Sequence, residues 1–282
     1  MPDEKVLQVA ILIWGCAFCA IAALCIFLSS NYDREKRRYL ILMESFASLL
    51  LLMDAMAHIF SGYPGVPGSV MVRISSFLVF LLSDVVLLCF HIYVCVYLFS
   101  KRERRTLKRV KAGYVIAAAE VAFVVISQFT HWYYYIDGDN CYHRAPLYIM
   151  SILLSAAGLL IDLTLLLQYK KRVSRKLLFS MLSCIVLPAV AAAVQAFWYG
   201  ISLIEFSVGI SMIIMFIVTM TELNQEMYEL ISREGKIKER LEIATILNKC
   251  IAELISGEDE DAAISNLLRI ICLLYTSPSP RD

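Results

Sequence analysis

Seven long apolar runs alternate with shorter polar segments along the chain. Each run has at least about 18 residues, enough for a helix to cross the hydrocarbon core of a bilayer. A backbone in lipid must satisfy its own hydrogen bonds, so each run is predicted to be helical. The predicted spans are Val6–Leu28, Leu40–Phe60, Val70–Phe99, Ala112–Phe129, Leu147–Leu167, Leu177–Trp198 and Leu203–Thr221. The pattern predicts an all-α membrane protein with a seven-transmembrane-helix bundle over residues 1–221.

Basic residues are concentrated in the first, third and fifth loops between these spans. They lie within residues 34–38, 101–111 and 170–176, whereas the other loops hold almost none besides Arg73 and Arg144. Because positively charged loops stay in the cytoplasm, we expect the N-terminus outside and the C-terminus inside. Their position beside the membrane explains these runs, so the expected partner is the lipid bilayer and no nucleic acid.

The fourth loop, THWYYYIDGDNCYHRAP, has aromatic and β-branched residues on both sides of an Asp-Gly turn. This pattern predicts a β-hairpin, with strands from about His131 to Ile136 and from about Cys141 to Arg144, over the outer mouth of the bundle. An aromatic belt at the membrane interface explains the same rings equally well. The side chains that could contact a ligand here are His131, Trp132, Tyr134, His143 and Arg144.

Ionisable residues also lie within the spans, where a charge is costly and often functional. The candidates for ligand or proton sensing are Asp54, His58, Arg73, Asp84, His91 and Glu205. Asp54 and His58 are four residues apart and share a helix face. On an ideal helix Arg73, Asp84 and His91 fall within about 20° of one stripe.

Two interpretations of these residues remain open. Asp54, His58, Arg73 and Glu205 are predicted to lie in the outer half, where a ligand beneath the hairpin would contact them. The alternative is that the buried polar residues only hydrogen-bond neighbouring helices. That alternative is favoured for Glu44, Glu120 and Asp162.

Composition narrows the chemistry further. The chain is 60% hydrophobic with a net charge of +1, so its total charge favours no particular partner. No span interior carries the Lys that a retinal pigment needs. His58 and His91 differ in depth by about 16 Å, too far for two ligands of one haem. We expect no cofactor, no metal and no catalytic residue in these 282 residues.

Beyond the last span, apolar residues continue at steps of four and three. They are Leu223, Met227, Leu230, Ile237, Leu241 and Ala244. This spacing predicts a signalling coiled coil over residues 222–244, and hence a homodimer through the helix after residue 221. Glu234 interrupts this row of apolar positions, the seam of the coiled coil, once. A single helix packed on its own domain is the alternative.

Two stretches resemble known signalling families. The segment from FLVFLLSDVVLLCFHIYV through ISQFTHWYYYIDGDNCYHR to the seventh span resembles the seven-helix sensor region of clostridial-type histidine kinases and diguanylate cyclases. ATILNKCIAELISGEDEDAAISNLLRII resembles the first two helices of a GAF domain, as found upstream of GGDEF and EAL modules. The resemblance implies a multi-pass protein of the bacterial plasma (inner) membrane that responds to an unknown small-molecule or physical stimulus.

The last residues are unusual. CLLYTSPSPRD, residues 272–282, resembles a translated sequencing adapter, with a natural proline-containing tail as the alternative. An adapter-derived end is expected to be an artefact and to leave a GAF-like domain truncated within 245–271.

The predicted function is therefore reception of a signal that helix seven passes to a missing cytoplasmic output. By resemblance that output is a cyclic-di-GMP diguanylate cyclase or phosphodiesterase. Two alternatives remain, the sensor half of a histidine kinase and, from another class, a small-solute transporter.

Overall fold

The computed structural model describes residues 2–29, 33–197 and 202–256, together with residues 265 and 269. Eight α-helices and one hairpin are present in these residues. The helices are α1 (Pro2–Leu28), α2 (Arg34–Phe60), α3 (Val66–Leu98), α4 (Lys101–Thr106), α5 (Lys108–Thr130), α6 (Tyr148–Gln168), α7 (Arg175–Phe197) and α8 (Leu203–Ser256). The strands are β1 (Tyr134–Ile136) and β2 (Tyr142–Arg144), and a 3-10 turn covers Lys170–Arg172.

Seven of the helices in the described residues, all except α4, are long and apolar enough to cross a membrane. This confirms the predicted number of spans. Most helices extend past the predicted apolar runs into polar flanks. The predicted end of the sixth span at Trp198 lies outside the described residues.

Capping interactions explain why two of the helices begin within polar segments. The Asp33 side chain accepts hydrogen bonds from the backbone N–H groups of Glu35 and Lys36 at 3.0 and 3.1 Å, so α2 begins before its apolar run. Ser100 and Glu103 form a capping box that starts α4 inside the basic third loop. The Ser100 N–H donates to the Glu103 carboxylate and holds the pKa of Glu103 below its usual range.

The apolar side chains are divided between a core and an outer surface. Leu40, Met43 and Tyr93 are fully buried between helices. Trp14 and Phe129 are 76% and 83% exposed on the outside of the first unit. A bundle that is apolar both inside and outside is the arrangement that a lipid environment favours.

The hairpin is confirmed, with shorter strands than predicted. Tyr134 pairs with Arg144, Tyr135 with His143 and Ile136 with Tyr142 in antiparallel register. The predicted first strand was wrong at its start. His131 instead ends α5 in the left-handed conformation with φ 54, and its N–H donates to the Ser127 carbonyl at 2.9 Å.

Asn140 attaches the hairpin turn to the loop after α2. Its side-chain amide donates to the carbonyl of Tyr63 at 2.9 Å, and its own carbonyl accepts from the N–H of Gly62 at 3.1 Å. Asn140 has a φ of 60, a left-handed conformation that Asn tolerates better than most residues. These two bonds hold the hairpin at one end of the bundle.

The chain divides into two compact units, Met1–Leu223 and Asn224–Asp282. The first contains the bundle and the hairpin. Residues 224–256 of the second belong to α8, and Ser265 and Arg269 are also helical. The remainder of the predicted GAF-like start at 245–271 and the adapter-like residues 272–282 lie outside the described residues.

Candidate functional site

A cavity of about 1180 Å³ lies inside the bundle of the first unit. Its walls come from α1, α2, α3, α6, α7 and α8 and from strand β2, and they are mostly aliphatic and aromatic. Five of the predicted site residues line it: Asp54, His58, Asp84, Arg144 and Glu205. Apolar cavities with a few convergent polar groups are the usual form of small-molecule sites, so this cavity is the candidate site.

The imidazole of His58 connects three parts of the chain at the hairpin end of the cavity. Its Nε2 lies 2.8 Å from Ser202 Oγ, 3.0 Å from Gln8 Nε2 and 3.7 Å from Asp54 Oδ1. An unprotonated Nε2 accepts from the Gln8 amide or the Ser202 hydroxyl, whereas a protonated Nε2 donates to Ser202, and a positively charged ring also attracts the Asp54 carboxylate. Protonation of this ring would therefore change its bonds to α1 and to the residue that leads into α8.

A second polar group joins β2, α6, α7 and α8. Arg144 donates to the carbonyl of Gln195 at 3.0 Å, and its guanidinium lies 4.5 Å from the ring centroid of Tyr148. The Gln195 side-chain oxygen accepts from the N–H of Ile204 at 2.9 Å, which satisfies one donor at the start of α8. Glu205, in the first turn of α8, is 8% exposed, and no group in the described part of the chain hydrogen-bonds its Oε2.

Asp84 lies beside a group of aromatic rings. It follows Phe80 by one turn of α3, and both residues line the cavity. The Phe80 ring stacks on Tyr134 with centroids 5.3 Å apart and meets Tyr148 edge-on at 6.3 Å. Tyr142 stacks on the same Tyr134 ring with centroids 5.5 Å apart, and it also lines the cavity. The cavity thus presents a carboxyl group next to aromatic side chains.

His91 lies outside this cavity lining, in a separate buried contact. Its Nδ1 is 2.6 Å from Asp162 Oδ1, and its Nε2 is 3.1 Å from the carbonyl of Val110. The edge of the ring meets Tyr114 with centroids 5.2 Å apart. His91 therefore joins α3, α5 and α6 instead of joining the other sensing candidates. This arrangement is what the alternative interpretation, hydrogen bonding between helices, describes.

Three other predicted site residues are also outside the cavity lining. Arg73 is exposed on α3, so the structure does not place it with Asp54, His58 and Glu205. His131 is exposed at the end of α5. Trp132 is 38% exposed and packs on Phe123 with ring centroids 6.4 Å apart.

Alternation along β2 separates the remaining hairpin candidates. Tyr142 and Arg144 line the cavity, whereas His143 between them faces the other side of the strand. His143 Nε2 lies 2.7 Å from Asp137 Oδ2. Tyr134 is buried behind the cavity wall and shares hydrogen bonds with Gln128.

The Asp137 carboxylate organises the hairpin turn. Its Oδ1 accepts from the backbone N–H groups of Cys141 at 2.8 Å and Asp139 at 3.0 Å. These bonds, above all that from Cys141, together with His143 hold the pKa of Asp137 below its usual range. The carboxylate is therefore a structural element of the turn.

The sequence prediction missed uncharged members of the site. Gln8, Gln195 and Ser202 contact the predicted residues, but they are uncharged, and the candidates predicted within the spans were all ionisable. An amide within an apolar span is costly without a partner, and that signal could have found Gln8 and Gln195. Ser202 offered no comparable signal because serine is common at helix starts.

The chain matches no protein-family model, no curated protein and no solved structure.

Proposed function

We propose that the chain is the membrane-embedded sensing part of a bacterial signal-transduction protein. A stimulus acts at the cavity, and α8 carries the change to a cytoplasmic output of the cyclic-di-GMP diguanylate cyclase or phosphodiesterase class. One observation supports this most strongly: Ser202, Glu205 and Phe206 line the cavity at the start of a helix of 54 residues. A ligand that alters their contacts would rotate or shift that helix.

The proposal includes an orientation and an oligomeric state. Positive loops favour a cytoplasmic C-terminus. Leu230, Ile237 and Leu241 are 64%, 64% and 66% exposed in the single chain, at coiled-coil spacing. A parallel homodimer would bury these side chains and let two copies transmit a rotation together.

A small-solute transporter is the second candidate, and the cavity itself favours it. Asp54, Asp84 and Glu205 line a space inside the bundle, and so does Pro188, an internal proline of α7. Buried carboxylates beside a proline-interrupted helix are features of transport sites near the membrane midplane.

The test is a fusion of residues 1–255 to a diguanylate cyclase, with cyclic di-GMP measured in cells that lack other cyclases. We expect Ser202→Ala and Glu205→Gln to change the output at equal protein level. Arg73→Ala is the matched control and should leave it unchanged, because Arg73 is exposed away from the cavity. Unchanged output in all three, combined with solute uptake that requires Glu205, would favour the transporter.

The coupling step has its own test in the same fusion. Inserting seven residues after Thr221 preserves the heptad seam, whereas inserting four displaces it. We expect the seven-residue insertion to retain the response and the four-residue insertion to lock or abolish it. Equal behaviour of the two insertions would argue against transmission through a paired α8.

A further inference from the structure

We infer that the cavity binds an organic cation, a protonated or quaternary amine with an apolar body, whose charge is held at Asp84. The inference deepens the proposed sensing function, since it names the ligand class at the same cavity. Three observations support the inference: the surroundings of Asp84, the aromatic rings beside it and the shape of the apolar cavity wall.

Among the described residues, no positively charged group pairs with Asp84. It is 7% exposed, and its Oδ2 has no hydrogen-bond partner among the described residues. The neighbouring charge that acts on it belongs to a second acid, Glu120, which is itself 5% exposed. A buried carboxylate is costly unless it is paired, so a cation at this position would be bound strongly.

The rings beside Asp84 favour the same kind of ligand. Phe80, Tyr142 and Tyr148 all line the cavity, and the face of an aromatic ring attracts ammonium groups. The structure already contains one such contact, with the guanidinium of Arg144 lying 4.5 Å from the Tyr148 ring centroid. Phe80, one turn before Asp84 on α3, and Tyr142 supply further ring surface in the same cavity.

The rest of the cavity is suited to an apolar body. Along α6 the lining runs from Tyr148 to Leu163, a distance of about 22 Å at the rise of an α-helix. On α7 the small side chains of Ala189, Ala192 and Ala193 face the same space. An elongated hydrophobic group fits this wall.

An anionic ligand is the rival, since Lys5 and Arg144 also line the cavity. Lys5 donates to the carbonyl of Ser61 at 3.2 Å, and Arg144 lies near enough to Glu205 for their charges to interact. Arg144 thus has an acid beside it, whereas Asp84 has another acid beside it. An ionised Asp84 would therefore have no positive group among the described residues to compensate its charge, and a cationic ligand would supply one.

The test uses the full 282-residue chain purified in detergent. Three probes share one phenylpropyl body: 3-phenylpropylammonium, 3-phenylpropanol and 3-phenylpropionate. We expect the ammonium to bind with the highest affinity by calorimetry and to raise the melting temperature. Asp84→Asn should weaken its binding about tenfold or more, because a charge-assisted contact is lost. Glu44→Gln is the matched control, a buried acid outside the cavity lining, and should leave affinity unchanged.

A second variant protects the test if Asp84→Asn does not fold. Phe80→Leu keeps an apolar side chain but removes a ring, so it should weaken the ammonium and spare the alcohol. Tighter binding of the carboxylate, or equal ammonium affinity in wild type and Asp84→Asn, would overturn the inference.

The two proposals fail separately. Cation binding without any change in the fused cyclase would contradict the sensing function alone. A cyclase that responds to Ser202→Ala, in a chain that binds none of the probes, would contradict only the cation site.

Discussion

The imidazole of His91 and the carboxyl group of Asp162 lie 2.6 Å apart in the buried contact between α3 and α6. The other ring nitrogen faces the carbonyl of Val110 at 3.1 Å. A carbonyl only accepts, so Nε2 carries a proton, and the short contact to Asp162 requires a second proton between Nδ1 and the carboxyl oxygen. Wherever that proton resides, the pair as a whole is neutral, which suits a low-dielectric interior.

The first prediction concerns this pair. His91→Leu or Asp162→Leu alone leaves one polar partner buried and unpaired, and each should lower the free energy of unfolding by about 3–5 kcal/mol. The double variant removes both polar groups and should cost much less than the sum of the two. Unfolding of the four proteins by denaturant titration in mixed micelles measures the cycle. Additive losses would mean that the two groups do not depend on each other.

The second prediction concerns the glycine against this ring. A Cβ added at Gly113 would overlap His91 Cε1, and two hydrogen bonds prevent the ring from moving away. Gly113→Ala should therefore destabilise the bundle by about 1–3 kcal/mol. In the control Gly158→Ala, the nearest atom would be Ile116 Cγ2 at 3.8 Å, so that helix should gain up to about 1 kcal/mol. Equal melting temperatures for the two variants would contradict the close contact.

The spans and the hairpin were predictable because their signals are local. A long apolar run specifies a helix in lipid whatever its neighbours are, and an Asp-Gly turn between aromatic residues specifies a hairpin. The strand start was misplaced because His131 is captured by the end of α5, where its N–H bonds the Ser127 carbonyl at 2.9 Å. The identity of residue 131 as a histidine does not indicate whether it belongs to the helix or to the strand.

The site was only partly predictable because it depends on which helices are neighbours. Helical spacing placed Arg73 and Asp84 on one stripe, yet Arg73 is exposed and Asp84 is buried. Two residues on the same face of a helix can differ in exposure, because different helices pack against that face along its length. Which helices become neighbours is not visible in the local sequence. The contact of His91 with Asp162 joins residues 71 positions apart for the same reason.

The third prediction concerns the hairpin turn outside the spans. Asp137→Ala removes the acceptor for the N–H groups of Cys141 and Asp139 and the partner of His143. Asp137→Asn keeps an acceptor but loses the charge. Hydrogen exchange of the peptide covering residues 131–145 should therefore be fastest in Asp137→Ala, intermediate in Asp137→Asn and slowest in the wild type. Gly138→Ala, with nothing within 4 Å of an added Cβ, is the control and should exchange like the wild type.

The pH dependence of this turn follows from the pKa of Asp137. That pKa is held below its usual range, so the ionised carboxylate stabilises the turn at every pH above the ordinary value of about 3.9. As the pH falls, the support persists through that value and is lost only when the lower pKa of the folded state is passed. The ratio of exchange rates, Asp137→Ala over wild type, should remain above one at pH 4. A ratio that already reaches one at pH 5 would contradict the lowered pKa.

The last prediction concerns the seam of the proposed dimer. Glu234 occupies the one seam position between Leu230 and Ile237 that is not apolar, and its side chain is 3.6 Å from Lys238 in an exposed ion pair. Exposed pairs of this kind contribute little, so replacing Glu234 with Leu loses almost nothing in the single chain. In a dimer each new Leu would be buried, which stabilises by about 1.5–3 kcal/mol per side chain. Glu234→Leu should therefore strengthen dimerisation by about tenfold or more, as measured by sedimentation equilibrium in density-matched detergent.

Glu239→Leu is the control that distinguishes association through the seam from non-specific hydrophobic association. Glu239 is also exposed on α8 but lies two residues after Ile237, on the side away from the seam. An added Leu there remains in water in a parallel dimer, so dimerisation should stay at the wild-type level. If both leucines strengthened association equally, the effect would be hydrophobic surface alone. If neither did, α8 would act as a single helix. Rotation of two paired α8 helices would then no longer explain how a change at the cavity is transmitted to an output.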